Sequence, residues 1–107
     1  MAQGFLTFTE IVGAAGTATV TIRTKSSESW VIGQVSNEMP GAPATALCTV
    51  RKNGYVVSPL IPQSDTADGA PAIEITPADV MTVEWTLCTP GLVGKVAIYF
   101  DRQGIGR

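Results

Sequence analysis

The chain has 107 residues, a formal net charge of −2, no His, two Cys and only 15% charged residues. Without His, the usual acid–base group near neutral pH is missing, so the composition argues against an enzyme or a metal site. Its seven basic residues form no block that would bind nucleic acid, and no apolar run approaches the roughly 20 residues of a membrane-spanning helix.

The N-terminal part of the chain predicts two β-strands. Residues 5–12 are rich in Phe and Thr, which favour extended structure, and predict either a first strand or, with the residues before them, an N-terminal arm over 1–12. Residues 17–25 alternate cleanly between apolar and polar side chains. This pattern is typical of a half-buried strand with Ala18, Val20 and Ile22 facing the core.

The middle of the chain predicts a third strand and then a hairpin. Residues 29–38 form the third strand, in which Gly33 indicates a β-bulge or the close approach of another backbone. The runs 45–52 and 55–57 are separated only by Asn53-Gly54. Asn-Gly is the strongest short hairpin signal, because both turn residues must adopt positive φ.

The second half predicts a long loop and three further strands. Residues 59–71 contain three Pro and an Asp-Gly pair and predict a loop, followed by a short strand over 72–76. Residues 80–88 and 92–101 predict the last two strands, and 102–107 a loose tail. In the first of these two strands, alternation points four side chains inward: Met81, Val83, Trp85 and Leu87.

Strands that recur every 10 to 15 residues, with turn residues between them, predict a single all-β domain over residues 1–107. The fold expected is an antiparallel two-sheet sandwich of seven or eight strands, either immunoglobulin-like or jelly-roll. The N-terminus lacks the basic region and the apolar region of a secretion signal, so the protein is expected to fold in the cytoplasm of the producing cell.

The two cysteines are expected to be reduced and unlinked. Cys48 shares a strand face with Ala46 and Val50, whereas alternation places Cys88 with Thr82, Thr86 and Glu84 on the wetter face. No C-x-x-C pattern suggests redox chemistry or zinc binding.

Four carboxylates near the predicted long loop raise the possibility of a calcium site: Asp65, Asp68, Glu74 and Asp79. Their spacing matches no known calcium loop. The simpler interpretation is that Asp68-Gly69 forms a turn and that Asp79 caps one through its side-chain oxygen. No cofactor, metal site or catalytic residue is therefore predicted.

Five residues are candidates for contacts with other molecules: Phe5, Leu6, Phe8, Trp30 and Tyr55. The three N-terminal ones would make an apolar arm that adds to a neighbour's sheet, or belong to an ordinary first strand. Trp30 and Tyr55 could form part of a sugar-stacking platform or pack in the core. For Trp85, alternation with Val83 and Leu87 favours the core.

One string of residues resembles a known family. The string begins with Arg51-Lys52-Asn53-Gly54 and continues with the Asp/Thr/Gly-rich segment 64–69. It then runs from Ile73 to Trp85, through Thr76-Pro77-Ala78-Asp79, and ends with Thr89-Pro90-Gly91 before the last strand. This string is similar to the D-T-x-x-G … I-x-x-G-D-x-L-T-V-x-W … x-P-G pattern of small β-sandwich virion proteins of tailed bacteriophages. Ala78 stands where those patterns often have Gly.

The resemblance implies a virion protein made in the host cytoplasm that needs no cofactor. The expected role is capsid decoration, with the major capsid protein or other virion subunits as partners and a homo-oligomer, a trimer, as the assembly. A carbohydrate- or receptor-binding module, and a tail or connector subunit, are the alternatives. Neither nucleic acid nor membrane is expected as a partner.

Overall fold

A computed structural model describes residues 2–24, 28–60 and 64–104. All regular elements in these ranges are β-strands. They are β1 (Ala2–Ile11), β2 (Ala18–Ile22), β3 (Glu28–Glu38), β4 (Leu47–Lys52), β5 (Tyr55–Leu60), β6 (Ser64–Ile75), β7 (Met81–Thr86) and β8 (Val93–Gly104).

The strands form two four-stranded antiparallel sheets, which confirms the predicted sandwich. Sheet I has the order β1-β8-β3-β6, and sheet II has the order β2-β7-β4-β5. Each of β1 to β4 pairs with its counterpart from the other end of the chain: β1 with β8, β2 with β7, β3 with β6 and β4 with β5. A long hairpin folded over itself in this way is a jelly roll, so of the two predicted sandwiches the jelly-roll is the one observed.

Side chains that point inward from both sheets fill the space between them. β2 and β7 show strict alternation, with Ala18, Val20 and Ile22 buried on one strand and Met81, Val83 and Trp85 on the other. This confirms the predicted core face of β2 and, from Met81 to Trp85, that of β7, and Trp85 is completely buried. β3 and β8 supply the opposite wall of the core with Ile32, Val35, Val96, Ile98 and Phe100.

The N-terminal segment is a strand of the domain's own sheet. Ten consecutive residues of β1 pair with β8, from Ala2 opposite Arg102 to Ile11 opposite Val93. Gly4 lies so close to Phe100 that an added Cβ would meet its ring at 2.5 Å. The arm alternative for residues 1–12 is therefore wrong for the described residues, because intramolecular pairing already uses one side of this strand.

The predicted loose tail is also wrong in its described part, because β8 continues through Gly104 and pairs there with Glu28. β1 pairs with β8 as far as Arg102, and β3 pairs with it through Gln103 and Gly104, so pairing outweighs the weak strand propensity of these residues. Residues 105–107 lie outside the described part of the chain.

The predicted long loop over residues 59–71 is wrong as well. β5 runs to Leu60 and β6 begins at Ser64, while residues 61–63 lie outside the described part of the chain. Both strands are sheet edges, where a Pro that cannot donate a hydrogen bond is tolerated. Pro59 on β5 and Pro71 on β6 therefore punctuate edge strands rather than a loop.

Gly33 marks a β-bulge, as predicted. Ile32 pairs with Phe100 and Gln34 with Tyr99, so Gly33 is the extra residue on β3. The pairing of β3 with β6 also shifts here, from Ile73 to Asp68. No described atom lies within 4 Å of an added Cβ at Gly33, so the close approach of another backbone is not the reason for this glycine.

The Asn53-Gly54 hairpin is confirmed. Lys52 pairs with Tyr55, and the two turn residues have φ of 51° and 86°. Asn tolerates this left-handed conformation better than most residues, and Gly adopts it without strain.

The end of β7 departs from the predicted alternation. The strand ends at Thr86, and Leu87 has a φ of 57°, which turns its side chain out to solvent and brings Cys88 inward. The prediction that Leu87 faces the core and that Cys88 lies on the wetter face is wrong for this reason. Cys48 is buried, as are Ala46 and Val50, and neither thiol forms a disulfide, as predicted.

Candidate interaction surfaces

The outer face of sheet II is polar along β2 and β7. The outward residues of β2 and β7 are hydroxyl-bearing or charged: Thr19, Thr21, Thr82, Glu84 and Thr86. Arg51 on β4 approaches Glu84 with 3.7 Å between Nε and Oε1, across a partly exposed surface. Such a pair adds little stability, and this face resembles an ordinary hydrated surface.

The outer face of sheet I carries two exposed apolar pairs along β1 and β8, which are separated by the exposed polar residues Thr7, Thr9 and Lys95. Phe5 and Tyr99 lie directly opposite each other, are 51% and 49% exposed, and have ring centroids 4.5 Å apart. Toward the other end of the same strand pair, Ile11 lies opposite Val93, and both are exposed. We call these four residues the β1/β8 face.

The other side of β1 contributes to the edge of the core. Phe8 is half-buried and packs against the core, whereas Leu6 is 36% exposed because no further strand in the described part of the chain lies beside it. Of the three N-terminal candidate residues, Phe5 therefore belongs to the β1/β8 face, while Leu6 and Phe8 point to the opposite side of the strand.

A second apolar surface lies on β5. Tyr55, Val56 and Val57 are consecutive and all exposed, and Tyr55 reaches 79%. A bulge in the pairing with β4, between Val50 and Arg51, breaks the alternation that would otherwise turn one of them inward. We call these three residues the β5 patch, and three exposed apolar residues in a row on a strand are unusual unless they have a function.

The two apolar surfaces lie on opposite sides of the sandwich. β1 is an edge of sheet I and lies against β2, whereas β5 is an edge of sheet II and lies against β6. A subunit with this arrangement can contact two different neighbours at once.

Trp30 belongs to the core. It is 3% exposed, stacks on Phe100 with ring centroids 4.1 Å apart, and donates from Nε1 to Glu28 at 2.9 Å. Its ring is not accessible to a ligand in this structure, so neither surface includes it. The five candidate residues are thus divided between the β1/β8 face, the inner side of β1, the core and the β5 patch.

Sequence analysis did not select several residues of these surfaces. Ile11, Val93 and Tyr99 belong to the β1/β8 face, and Val56 and Val57 to the β5 patch. Alternation in residues 92–101 could have placed Val93 and Tyr99 together on one face. The β5 bulge has no comparable signal, because a local insertion in the pairing leaves no mark in the hydrophobic pattern.

The turn between β6 and β7 is joined to the Asn53-Gly54 hairpin. Asn53 donates from Nδ2 to Asp79 at 2.8 Å and accepts at Oδ1 from the Val80 N–H at 2.9 Å. Asp79 also accepts from the Thr76 N–H at 2.9 Å and from its hydroxyl at 3.1 Å. This confirms the turn-cap interpretation of Asp79.

These hydrogen bonds explain the acidity of Asp79. The backbone N–H of Thr76 and then the Asn53 amide hold the pKa of this carboxyl below its usual value. Lys52 adds a weaker contribution, with its Nζ at 3.9 Å. Asp79 is therefore a charged structural cap, and the string that carries the phage resemblance has structural roles here at both Asp79 and Trp85.

The side chains that could bind a metal ion or act as nucleophiles are dispersed over the described part of the chain. Among residues 2–24, 28–60 and 64–104, no three His, Cys, Asp or Glu side chains cluster in a way that could hold a metal ion. The side chains of Asp65 and Asp68 lie outside the described part of the structure. Burial raises the pKa of the Cys88 thiol, which makes it a poor nucleophile.

The described ranges also contain no helix that is long and apolar enough to cross a membrane.

No protein-family model matches the sequence, and no curated protein sequence matches it. Among solved structures, the crystal structure of FLHE is similar, with a TM-score of 0.53 and 16% identity. The match covers 94% of this chain and 98% of that chain. At this identity the likeness concerns the fold alone.

Proposed function

We propose that this protein is a structural virion protein of a tailed bacteriophage, and specifically a capsid decoration protein that acts through protein–protein contacts. The observation that carries the proposal is the pair of apolar surfaces on opposite sides of the sandwich. The sequence resemblance to small phage virion proteins supplies the biological setting. Its partners would be the major capsid protein or other virion subunits, with a homo-oligomer, a trimer, as the expected assembly.

The mechanism is burial of apolar surface at joints between larger subunits. Full burial of a side chain such as Val56 contributes about 1.5–3 kcal/mol. Because a protein that binds only the assembled shell shifts the equilibrium toward it, the head becomes more resistant to disruption. This role requires no catalytic residue, cofactor, nucleic acid or membrane, and it places the mature protein in the virion after synthesis in the host cytoplasm.

Binding to isolated heads that lack the protein tests this role. The double variant Tyr55→Ser, Val56→Ser leaves the buried residues of the β4–β5 hairpin unchanged but removes most of the apolar β5 patch. We expect its binding in co-sedimentation to weaken by about tenfold or more, the equivalent of one buried side chain. The matched control is Thr19→Ser, Thr21→Ser on the polar face of sheet II, which should bind like the wild type.

Wild-type protein that does not bind the heads, or a β5 variant that binds as well as the control, would contradict the proposal. Deletion of residues 1–12 is not a suitable test. It removes β1, which pairs with β8 along ten residues and carries Phe8 into the core, so loss of binding would only report unfolding.

A carbohydrate- or receptor-binding module is the second candidate, and one observation favours it. Tyr55 is 79% exposed beside the hairpin turn, where an aromatic ring can stack on a sugar. A glycan-array signal that Tyr55→Ala abolishes, and that Tyr99→Ala leaves unchanged, would support this candidate over decoration. A tail or connector subunit would instead form rings of defined order when its mass is measured.

A further inference from the structure

The free edge of β1 is long, regular and unprotected. All ten residues pair with β8 without a register shift, and in the described part of the chain no strand pairs with the other side of β1. The strand contains no Pro, Lys or Arg, and Glu10 is its one charged residue. Proteins usually protect such edges by short strands, bulges, Pro or charges, because an open edge pairs readily with another chain.

The other three edge strands carry such protection. β2 has only five residues. β5 contains Pro59 and a bulge in its pairing with β4. β6 contains Pro71 and Glu74, and its pairing with β3 shifts register. The open character is therefore specific to β1 and is not a general property of this sandwich.

We propose that β1 is the pairing edge through which two copies of this chain form a symmetric dimer with one continuous eight-stranded sheet. Antiparallel pairing of a strand with itself has two-fold symmetry, which is the commonest symmetry of dimers. The inference goes beyond the virion role and does not depend on it, because it rests on β1 alone and is tested on purified protein. It replaces the trimer expected from the phage resemblance with a dimer, so the measured mass decides between the two assemblies.

The two faces of β1 restrict the register. Phe5 points to the outer face, whereas Leu6 and Phe8 point to the core side, and a continuous sheet must match outer with outer and inner with inner. Pairing centred on Thr7 satisfies this condition. It places Leu6 of each copy opposite Phe8 of the other, Phe5 opposite Thr9, and the two Thr7 residues opposite each other.

This register also covers apolar surface that β1 leaves open. Leu6 is 36% exposed in the single chain, and Phe8 of the second copy would lie beside it and extend the core across the junction. A register centred on Leu6 instead places Phe8 opposite Gly4, which offers no side chain. The second copy thus supplies both the backbone partners and the apolar partner that the edge lacks.

The charge on β1 permits this pairing. In the Thr7-centred register, Glu10 of each copy lies opposite Gly4 of the other, so the two Glu10 residues are six positions apart along the strands. At about 3.4 Å per residue the two carboxylates are about 20 Å apart. This exceeds the Debye length of about 8 Å at physiological salt, so their repulsion is largely screened. The net charge of −2 per copy adds little further repulsion.

Cysteine cross-linking tests the register. In the proposed dimer the two residues at position 7 face each other with Cα atoms about 4.5–5.5 Å apart, within reach of a disulfide. Thr7→Cys should form a covalent dimer under mild oxidation. The matched control, Thr9→Cys, is exposed on the same face of the same strand, but its two copies would lie about 14 Å apart along the strands.

We expect Thr7→Cys to cross-link on the order of a thousandfold faster than Thr9→Cys, because paired residues meet at mM effective concentration whereas free copies collide at µM. Equal rates for the two variants, or no cross-link at position 7, would overturn the proposal. Both native cysteines are buried, so the background is low.

Light scattering on a sizing column tests the dimer without any added thiol. The wild type should elute with about twice the chain mass of 11.2 kDa, and Leu6→Lys should elute as a monomer with an unchanged far-ultraviolet spectrum. An inward-pointing lysine at an edge opposes pairing without disturbing the strand itself. A wild-type monomer, a mass of three copies, or a dimer that survives Leu6→Lys would overturn the proposal.

Discussion

Trp85 and Asn37 join the two sheets by a hydrogen bond inside the core. The indole Nε1 of Trp85 on β7 donates to Oδ1 of Asn37 on β3 at 3.2 Å. Asn37 is the buried polar residue among those described, and it is only 3% exposed. An aromatic ring of this size can be completely buried here because its one polar atom has a partner.

Replacement of Asn37 by Leu should destabilise the fold by about 1–3 kcal/mol, because the buried indole N–H loses its acceptor. Chemical denaturation measures the change. The double variant Asn37→Leu, Trp85→Phe removes both partners, so its loss should be smaller than the sum of the two single losses. Additive losses would mean that the hydrogen bond contributes nothing to stability.

Gly94→Ala should be destabilising by about 1–3 kcal/mol, the usual range for overpacking. An added Cβ would lie 2.9 Å from Met39 Cε and 3.1 Å from the ring of Trp85. The matched control is Gly33→Ala, where the added Cβ meets no described atom within 4 Å. Thermal unfolding should separate the two variants, and equal melting temperatures would contradict the packing described for Gly94.

The turn cap at Asp79 predicts a pH dependence of stability. The folded pKa of Asp79 lies below its unfolded value, so its contribution is present above the unfolded pKa, about 3.9, and is lost as pH falls through the folded pKa. Stability of the wild type should therefore fall between pH 5 and pH 2 more steeply than that of Asp79→Ala. If denaturant titrations give the wild type and Asp79→Ala parallel profiles of stability against pH, the charged cap contributes nothing to stability.

Cys88 should react slowly with a thiol reagent in the folded protein. It is buried, and burial raises its pKa, so little thiolate is present at neutral pH. Both thiols should react with Ellman's reagent at full rate only after denaturant unfolds the chain. Rapid reaction of one thiol under native conditions, with Cys48→Ser used to identify it, would show local opening near residue 88.

Strand patterns could be predicted where each strand follows a strict alternation. The core face of β2 follows from alternation at Ala18, Val20 and Ile22. The hairpin turn follows from the positive φ that Asn53-Gly54 favours. The extent of β6 and β8 could not be predicted from local propensity. β3 pairs with residues 64–68 and 73–75 of β6, on either side of Pro71, and it pairs with β8 through Gly104.

The candidate surfaces were harder to anticipate than the core. Phe5 and Tyr55 were selected as aromatics, but Tyr99 meets Phe5 only through a pairing that spans almost the whole chain. Trp30 is ambiguous in sequence because Val31 and Ile32 follow it, and its burial depends on stacking against Phe100. Leu87 is exposed because its own backbone is left-handed, and the β5 patch is exposed because of a bulge in the pairing with β4. Both features break the alternation on which the predictions rested.

The pairing of β1 with β8 has a consequence for folding in the cell. Ala2 can pair only after its partner Arg102 has been synthesised. At ribosomal speeds of about 5–20 residues per second, the roughly 100 residues between them take about 5–20 s. Until β8 has been made, β1 lacks its strand partner, so completion of sheet I is a late step in folding. Folding dominated by such distant contacts is slow, and many nascent copies would display the same apolar strand at once. Translation speed and chaperone access should therefore control the yield of native protein.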